Sequence, residues 1–339
     1  MSGAAIPYHL RPHKSLDRRL FLDLLSRYER WQPLDNYAYI SMGAYPLEDH
    51  KLVHRLLGLT KLVAFDLNPE IVARQKFNRP IETCQCIERH SRDVARNLET
   101  VLSECGFPED TGAIVWLDYT EPSKIGDQLR EFEDLIDQLK PGDIARVTVN
   151  AQPYGLLHPK QEEEPASSKE KKQKKQFENL KERIGDYLPS WVTWESMTLE
   201  QLPLALSAAF ATAARNALPV GGTTQFAPLS IVRYADGQQM LVVTGTVAKN
   251  EDLAGMAERM DLAHWPFTSS DWSKIHQLVV PDLTLRERLF LERGVLTMNS
   301  AQIIDELGFK DASGVNIQEF LEVFRTYYRF YPTLLPSPV

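Results

Sequence analysis

Residues 37–68, YAYISMGAYPLEDHKLVHRLLGLTKLVAFDLN, carry the strongest indication of how this chain folds. An apolar run ends at Gly43, a helix-like segment follows, and a second apolar run ends at Asp66. Strands of a parallel sheet are buried on both faces and read as continuous apolar runs, and ligands bind beyond their carboxyl ends. The stretch therefore predicts one half of a nucleotide-binding α/β unit.

The residues at the ends of the two runs indicate the kind of ligand. Gly43 allows the backbone to approach a ligand closely, and the helix that begins near Leu47 points its positive N-terminus at the same crevice. Asp66 stands where such folds place a carboxylate that accepts both hydroxyls of a ribose. The phosphate-binding patterns GxGxxG and GxxxxGK[ST] do not occur in the sequence. A ligand with a ribose and without phosphate fits better.

The first 150 residues continue this alternation of apolar runs and helix-like segments. The predicted strands are 37–43, 62–66, 82–87, 113–117 and 145–149. The predicted helices are 15–31, 47–57, 69–77, 91–104 and 123–139. Strands and helices in this order are typical of an open α/β sheet with right-handed crossovers.

A charged insertion at about 158–185 interrupts the pattern. Because it has few apolar residues, we expect a solvated segment that leads into a helix. Its lysines allow two interpretations, a contact strip for a phosphate backbone or an exposed linker whose glutamates balance the charge. These lysines are Lys169, Lys171, Lys172, Lys174 and Lys175.

Two further apolar runs, 225–234 and 239–247, follow an alanine-rich helical segment at 202–217. Asp236 and Gly237 between the runs are a strong hairpin signal. We therefore predict an α/β fold, with a Rossmann-like, mostly parallel sheet that ends in an antiparallel hairpin. That domain covers 1–250, and 251–339 form a small, mainly helical C-terminal region.

Composition sets limits on function. The 339 residues are 43% hydrophobic and 25% charged, which is typical of a globular protein and excludes a disordered chain. A net charge of −8 does not indicate general attraction to nucleic acid. The three cysteines are an odd number, and the sequence shows neither an apolar leader nor a long apolar window. We expect a cytoplasmic protein that does not enter a membrane.

Polar residues near the predicted carboxyl edge are candidates for chemistry. Asp118 ends the apolar run IVWLDY, where a carboxylate is costly to bury unless it is paired or open to the crevice. Asn150 ends the next run and either orients a substrate or forms a turn. His50 and His54 have a helical spacing that could bind a metal, but no HExxH pattern accompanies them. We expect surface or capping histidines and no metal site.

The order of the elements, with the final hairpin, resembles the class I S-adenosylmethionine-dependent methyltransferases over about 37–248. The resemblance implies S-adenosylmethionine as cofactor, with Gly43 near its amino-acid part and Asp66 on its ribose. In the same way, CIERHSRDV places Glu88 and Ser91 near the adenine. The segment WLDYTEP places Asp118 and Tyr119 where such enzymes present catalytic residues. All six assignments follow from the resemblance.

The chain also resembles bacterial proteins described as O-methyltransferases in the segments LVHRLLGL, FNRPI, IVWLDY and VTVNA. This resemblance implies no particular acceptor, and it does not decide whether the methyl group is transferred to oxygen or to nitrogen. One departure is the first loop, where Tyr45 and Pro46 replace the glycines that are usual in the family. A bulky loop favours an alternative, a non-catalytic subunit that binds a nucleotide-like ligand or a protein partner. The aromatic C-terminal helix at 316–330 is the candidate surface for that partner, unless it packs in the core.

Overall fold

The apolar runs of the sequence form one eight-stranded sheet in a computed structural model, with the strand order β3-β2-β1-β4-β5-β7-β6-β8. The structure describes residues 11–157, 168–218, 220–281, 283–308 and 317–331. The strands are β1 (Tyr37–Ser41), β2 (Lys61–Asp66), β3 (Gln85–Glu88), β4 (Gly112–Asp118), β5 (Ile144–Asn150), β6 (Thr224–Ala235), β7 (Gln239–Lys249) and β8 (His276–Gln277).

Strands β1 to β5 pair in parallel, and β7 inserts antiparallel between β5 and β6. The predicted Rossmann-like sheet with its terminal hairpin is confirmed. The helices are α1 (Pro12–Tyr28), α2 (Glu48–Leu57), α3 (Pro69–Asn78), α4 (Ser91–Arg96), α5 (Leu98–Glu104), α6 (Ile125–Gln138), α7 (Lys169–Ile184), α8 (Gln201–Ala217), α9 (Leu253–Arg259), α10 (Leu285–Gly294), α11 (Ser300–Leu307) and α12 (Ile317–Tyr327).

The largest differences from the predicted element boundaries concern three elements. The third strand is Gln85–Glu88 and begins later than 82–87 because residues 82–83 form a turn. The single helix predicted at 91–104 is two helices, because Asn97 has a non-helical backbone with φ −133° and ψ 41°. The leading helix begins at Pro12 and ends at Tyr28, whereas 15–31 was expected.

The main core lies between one face of the sheet and helices α6 and α8. Phe132 of α6 packs edge-on against Phe210 of α8 and Phe226 of β6, at ring distances of 5.1 and 5.5 Å. Edge-to-face aromatic packing of this kind stabilises a core beyond the area that it buries. The helices thus cover one face of the sheet.

The predicted solvated insertion is only partly solvated. Helix α7 buries Leu180 and Ile184 in the main core, and Asn179 donates to the backbone oxygen of Leu156 at 2.9 Å. The expected helix is present, but the expectation of a fully solvated segment was wrong here because two well-spaced apolar residues are enough to anchor one face of a helix. The first half, 158–167, lies outside the described residues.

The chain divides into two compact units, 1–6 with 22–277 and 7–21 with 278–339. The first includes the whole sheet, and the second includes α10 to α12. In the second unit the side chain of Thr284 caps α10, and the ring of Phe324 is fully buried. Among the described residues no helix combines the length and the apolar character that a membrane span requires.

Candidate functional site

Four of the predicted site residues lie in one row at the carboxyl edge of the sheet. Ser41 of β1 pairs with Ala64 of β2 and with Trp116 of β4. Asp66 and Asp118 lie two residues beyond these partners at the ends of β2 and β4, and Gly43 lies two residues beyond the end of β1. Asp66 pairs in register with Glu88 of β3. Neighbouring strands lie about 5 Å apart, so the row places Gly43 between two carboxylates. The register thus brings together Glu88, Asp66, Gly43 and Asp118.

Asp66 has a local structural role and a remaining capacity to bind a ligand. Its Oδ1 accepts a hydrogen bond from the backbone N–H of Asn68 at 2.8 Å, and the Asn68 side chain accepts from the N–H of Glu70 at 2.9 Å to cap α3. Within the described part of the chain, the Oδ2 atom of Asp66 accepts no hydrogen bond. Because the carboxylate is half-buried at the edge of the sheet, this oxygen is available to a hydroxyl group.

The loop after β1 is tight and is anchored to α3. Gly43 has φ +64°, and a Cβ atom there would lie 2.7 Å from Cε1 of His50. The Nε2 of Gln75, a fully buried residue of α3, donates to the backbone oxygens of Met42 at 2.9 Å and Ala44 at 3.2 Å. The loop therefore needs glycine at position 43, and its carbonyl groups face α3 at both ends.

His50 is not at the surface, contrary to the sequence prediction. The ring is fully buried behind Gly43, and Nε2 donates to the backbone oxygen of Val63 at 2.9 Å. Burial lowers the pKa of His50, so the ring is neutral, and its Nδ1 has no hydrogen-bond partner among the described residues. Its spacing of three residues from Leu47, which precedes α2, and from Val53 of α2 is the signal that indicates a buried position.

Tyr45, the bulky residue of the loop, has its ring against α3. The guanidinium of Arg74 lies 3.5 Å from the centre of the ring, and Asn78 donates to the backbone oxygen of Tyr45 at 3.1 Å. Such a cation–π contact fixes the direction of the ring. The ring therefore has a partner on α3 that does not depend on a bound ligand.

The two predicted catalytic residues, Asp118 and Tyr119, have different surroundings. Asp118 belongs to the row and is half-buried. Tyr119 donates its hydroxyl to Oε2 of the buried Glu131 on α6 at 2.5 Å and also hydrogen-bonds Ser91. Burial, reinforced by the Glu131 carboxylate, raises the pKa of Tyr119 well above its usual range. This arrangement suits a structural link between β4, α4 and α6 and does not suit a group that takes up a proton.

Replacing Tyr119 by phenylalanine is expected to lower the free energy of unfolding by about 1–3 kcal/mol, because the buried Glu131 loses its donor. Tyr187 provides a matched control, since it hydrogen-bonds Glu133 of the same helix at a more exposed position. The free energy of unfolding of Tyr187→Phe is expected to fall by less than about 0.5 kcal/mol. Urea unfolding of both variants measures the difference. Equal losses would contradict the structural role of Tyr119.

Asn150, at the end of β5, is held by its neighbours. Its Nδ2 donates to Oε1 of Gln238 at 2.6 Å, and its Oδ1 accepts from the backbone N–H of Gln152 at 2.9 Å. Of the two interpretations in the sequence, the structure thus favours a turn residue. Among the described residues no group of three or more histidine, cysteine or acidic side chains is arranged to hold a metal ion.

Residues 6–337 match the protein family described as "Putative O-methyltransferase". No functionally curated protein matches the chain. Similar solved structures include LepI in complex with SAM, which is 11% identical with a TM-score of 0.36 and a match over 66% of this chain. The match spans 46% of the LepI chain, less than half of its length.

A second similar structure is the plantazolicin methyltransferase BamL in complex with a triazolic desmethylPZN analog and SAH. It is 10% identical with a TM-score of 0.33, and the match covers 68% of this chain and 85% of the BamL chain.

Proposed function

The chain belongs to the family described as "Putative O-methyltransferase", and from this premise we propose that it transfers a methyl group from S-adenosylmethionine to a hydroxyl oxygen of an acceptor. The observation that carries the proposal is the row at the carboxyl edge, in which Gly43 lies between Asp66 and Asp118. Ligands of open α/β sheets bind at this edge.

The residues present fit this cofactor. The Asp66 carboxylate has an oxygen available for the ribose hydroxyls, and the missing side chain of Gly43 lets the first loop pack directly on His50 and Leu47. Three fully buried polar atoms around the loop lack a hydrogen-bond partner among the described residues. They are Oγ of Ser41, Nδ1 of His50 and Oε1 of Gln75. Such atoms are costly to leave unpaired, and a polar ligand or water at the loop would satisfy them.

The protein's part in the reaction is alignment. S-adenosylmethionine supplies a methyl group that is activated by its positively charged sulfur. Asp118 lies on β4, the strand next to the one that Gly43 follows. We propose that its carboxylate accepts a hydrogen bond from the hydroxyl group of the acceptor and so holds that group in position. Glu88, exposed in register with Asp66, extends the polar edge on the other side.

A transfer assay tests the proposed activity. The full chain is incubated with S-adenosylmethionine carrying a tritiated methyl group and with pooled hydroxylated or amine-bearing small molecules. The proposal predicts label in base-stable ethers with the wild type and much less with Asp66→Asn. Label confined to the amine pool would replace oxygen transfer by nitrogen transfer, and label in neither pool would favour the non-catalytic alternative.

The non-catalytic alternative rests on the glycine-poor loop, and the Tyr45 ring provides its test. Since the ring already stacks on Arg74, Tyr45→Ala is expected to weaken S-adenosylmethionine binding by no more than about fivefold, which reflects the roughly 0.5–1 kcal/mol of a cation–π contact. Tyr45→Phe, which keeps the ring, is the control. Calorimetric titration measures both. Binding that becomes tenfold tighter in Tyr45→Ala would mean that the ring occupies the cofactor space.

A further inference from the structure

A cleft of about 620 Å³ opens next to the carboxyl end of β5. Its walls come from three segments that are distant in sequence, namely 152–154 after β5, the first two turns of α7, and 197–200 before α8. A volume of this size is within the range of small-molecule sites, which is about 300–1,000 Å³. The three segments thus form a concave surface large enough for a small molecule of two or three rings.

One side of the cleft is apolar. Tyr154 and Leu199 are 48% and 45% exposed, which is unusual for such large apolar side chains, and Met197 also lines the cleft. The backbone of Leu199 is held in place, because its oxygen accepts from Nε2 of Gln239 at 2.8 Å and from Arg233 at 3.0 Å. A rigid apolar wall with an exposed aromatic ring favours a flat, apolar group as the bound ligand.

The opposite side is cationic. Residues 169, 172, 173 and 176 lie on one face of α7, and this face presents Lys169 and Lys172 to the cleft. Within the described residues neither lysine forms an ion pair, whereas Lys174 on another face pairs with Glu170 at 2.6 Å. Glu200 also lines the cleft, so two cationic side chains face one anionic side chain. The surplus charge favours an anionic group.

The cleft begins two residues after Asn150, at the same edge of the sheet as Asp118. Strand β5 pairs directly with β4, with Thr148 beside Asp118. The backbone N–H of Gln152, which lines the cleft, donates to Oδ1 of Asn150. A ligand in the cleft therefore lies at the same edge of the sheet as the proposed acceptor-binding carboxylate, one strand away from it.

We propose that this cleft binds the methyl acceptor, and that the acceptor is a planar, hydroxylated aromatic compound that carries a carboxylate. The inference rests on the proposed function, since it identifies the acceptor class of that reaction. The aromatic part packs between Tyr154 and Leu199, and the carboxylate lies between Lys169 and Lys172.

A pair of isosteric probes tests the inference. The fluorescent compounds 6-hydroxy-2-naphthoate and 6-hydroxy-2-naphthamide have the same shape, and only the first is charged at neutral pH. Fluorescence titration of the full chain is expected to give naphthoate binding about five- to tenfold tighter than naphthamide binding at low salt. The preference is expected to disappear in the double variant Lys169→Ala/Lys172→Ala, and Tyr154→Ala is expected to weaken both probes.

Lys174→Ala is the matched control, because it removes a lysine from the same helix on a face outside the cleft, and it is expected to keep the preference. Equal binding of the two probes, no saturable binding of the naphthoate, or an equal loss in Lys174→Ala would each overturn the proposal. Titration with S-adenosylmethionine is run on the same samples. If S-adenosylmethionine binds but the naphthoate is not preferred, only the assignment of the acceptor is contradicted. If S-adenosylmethionine does not bind, the proposed function itself is contradicted.

Discussion

Asp66→Asn is expected to weaken S-adenosylmethionine binding by about 10- to 100-fold. A charged hydrogen bond to a ligand contributes roughly 1.5–3 kcal/mol, and asparagine has an NH₂ group, which cannot accept a hydrogen bond, in place of the Oδ2 atom that is available to the ribose hydroxyls. The asparagine keeps the Oδ1 oxygen, which accepts from the backbone N–H of Asn68. The substitution therefore removes the ligand contact and preserves the turn before α3. Isothermal titration of wild type and variant measures the effect.

Asn68→Ala is the control that separates ligand binding from helix capping. It removes the side-chain acceptor for the N–H of Glu70 and is expected to lower the free energy of unfolding by about 1 kcal/mol. Its affinity for the cofactor is expected to remain within about threefold of the wild type, because loss of the cap leaves both oxygens of Asp66 in place. If Asp66→Asn binds as well as the wild type, Asp66 has only the local structural role.

Gly43→Ala is expected to lower the free energy of unfolding by about 2–5 kcal/mol. About 1–2 kcal/mol comes from the left-handed backbone at φ +64°, which costs an L-residue more than glycine. The rest comes from contact with the buried His50, whose Cε1 would lie 2.7 Å from the new Cβ atom. His50 cannot move away easily, because its Nε2 is bonded to Val63 and its ring packs edge-on against Tyr39 at 5.1 Å.

Gly58→Ala is the matched control for the backbone effect. Gly58 has a similar φ of +70°, but nothing lies within 4 Å of its Cβ position. We expect Gly58→Ala to lower the free energy of unfolding by only about 1–2 kcal/mol. Urea unfolding measures the free energy of unfolding of both variants, provided that its dependence on urea concentration has the same slope in each. The difference between the two losses measures the contact between the first loop and His50. A loss in Gly43→Ala no greater than in Gly58→Ala would contradict the tight packing of this loop.

Much of the fold could be predicted because its signals are local. The runs that end at Gly43 and Asp66 form neighbouring parallel strands, and Asp236 with Gly237 joins an antiparallel pair. Residues at strand ends share one edge of the sheet whatever the packing of the helices. For the same reason the row of Glu88, Asp66, Gly43 and Asp118 could be predicted as a group.

The remaining features depend on contacts between distant segments. The direction of the Tyr119 side chain is set by Glu131 and Ser91, and the sequence next to Tyr119 contains no sign of either contact. The cleft could not be predicted, because its lysines and its apolar wall lie in separate segments of the chain. His50 differs, since its helical spacing from Leu47 and Val53 indicates burial and was outweighed by its polar character.

Isothermal titration of the full chain with S-adenosylmethionine tests the central claim most directly. The edge row of Gly43, Asp66 and Asp118 predicts saturable binding of one cofactor per chain, with a dissociation constant in the micromolar range. Titration with S-adenosylhomocysteine is expected to saturate the same site and to compete with the first ligand. The absence of binding heat with both ligands, at concentrations where the protein remains folded, would contradict a cofactor site at the carboxyl edge of β1 and β2.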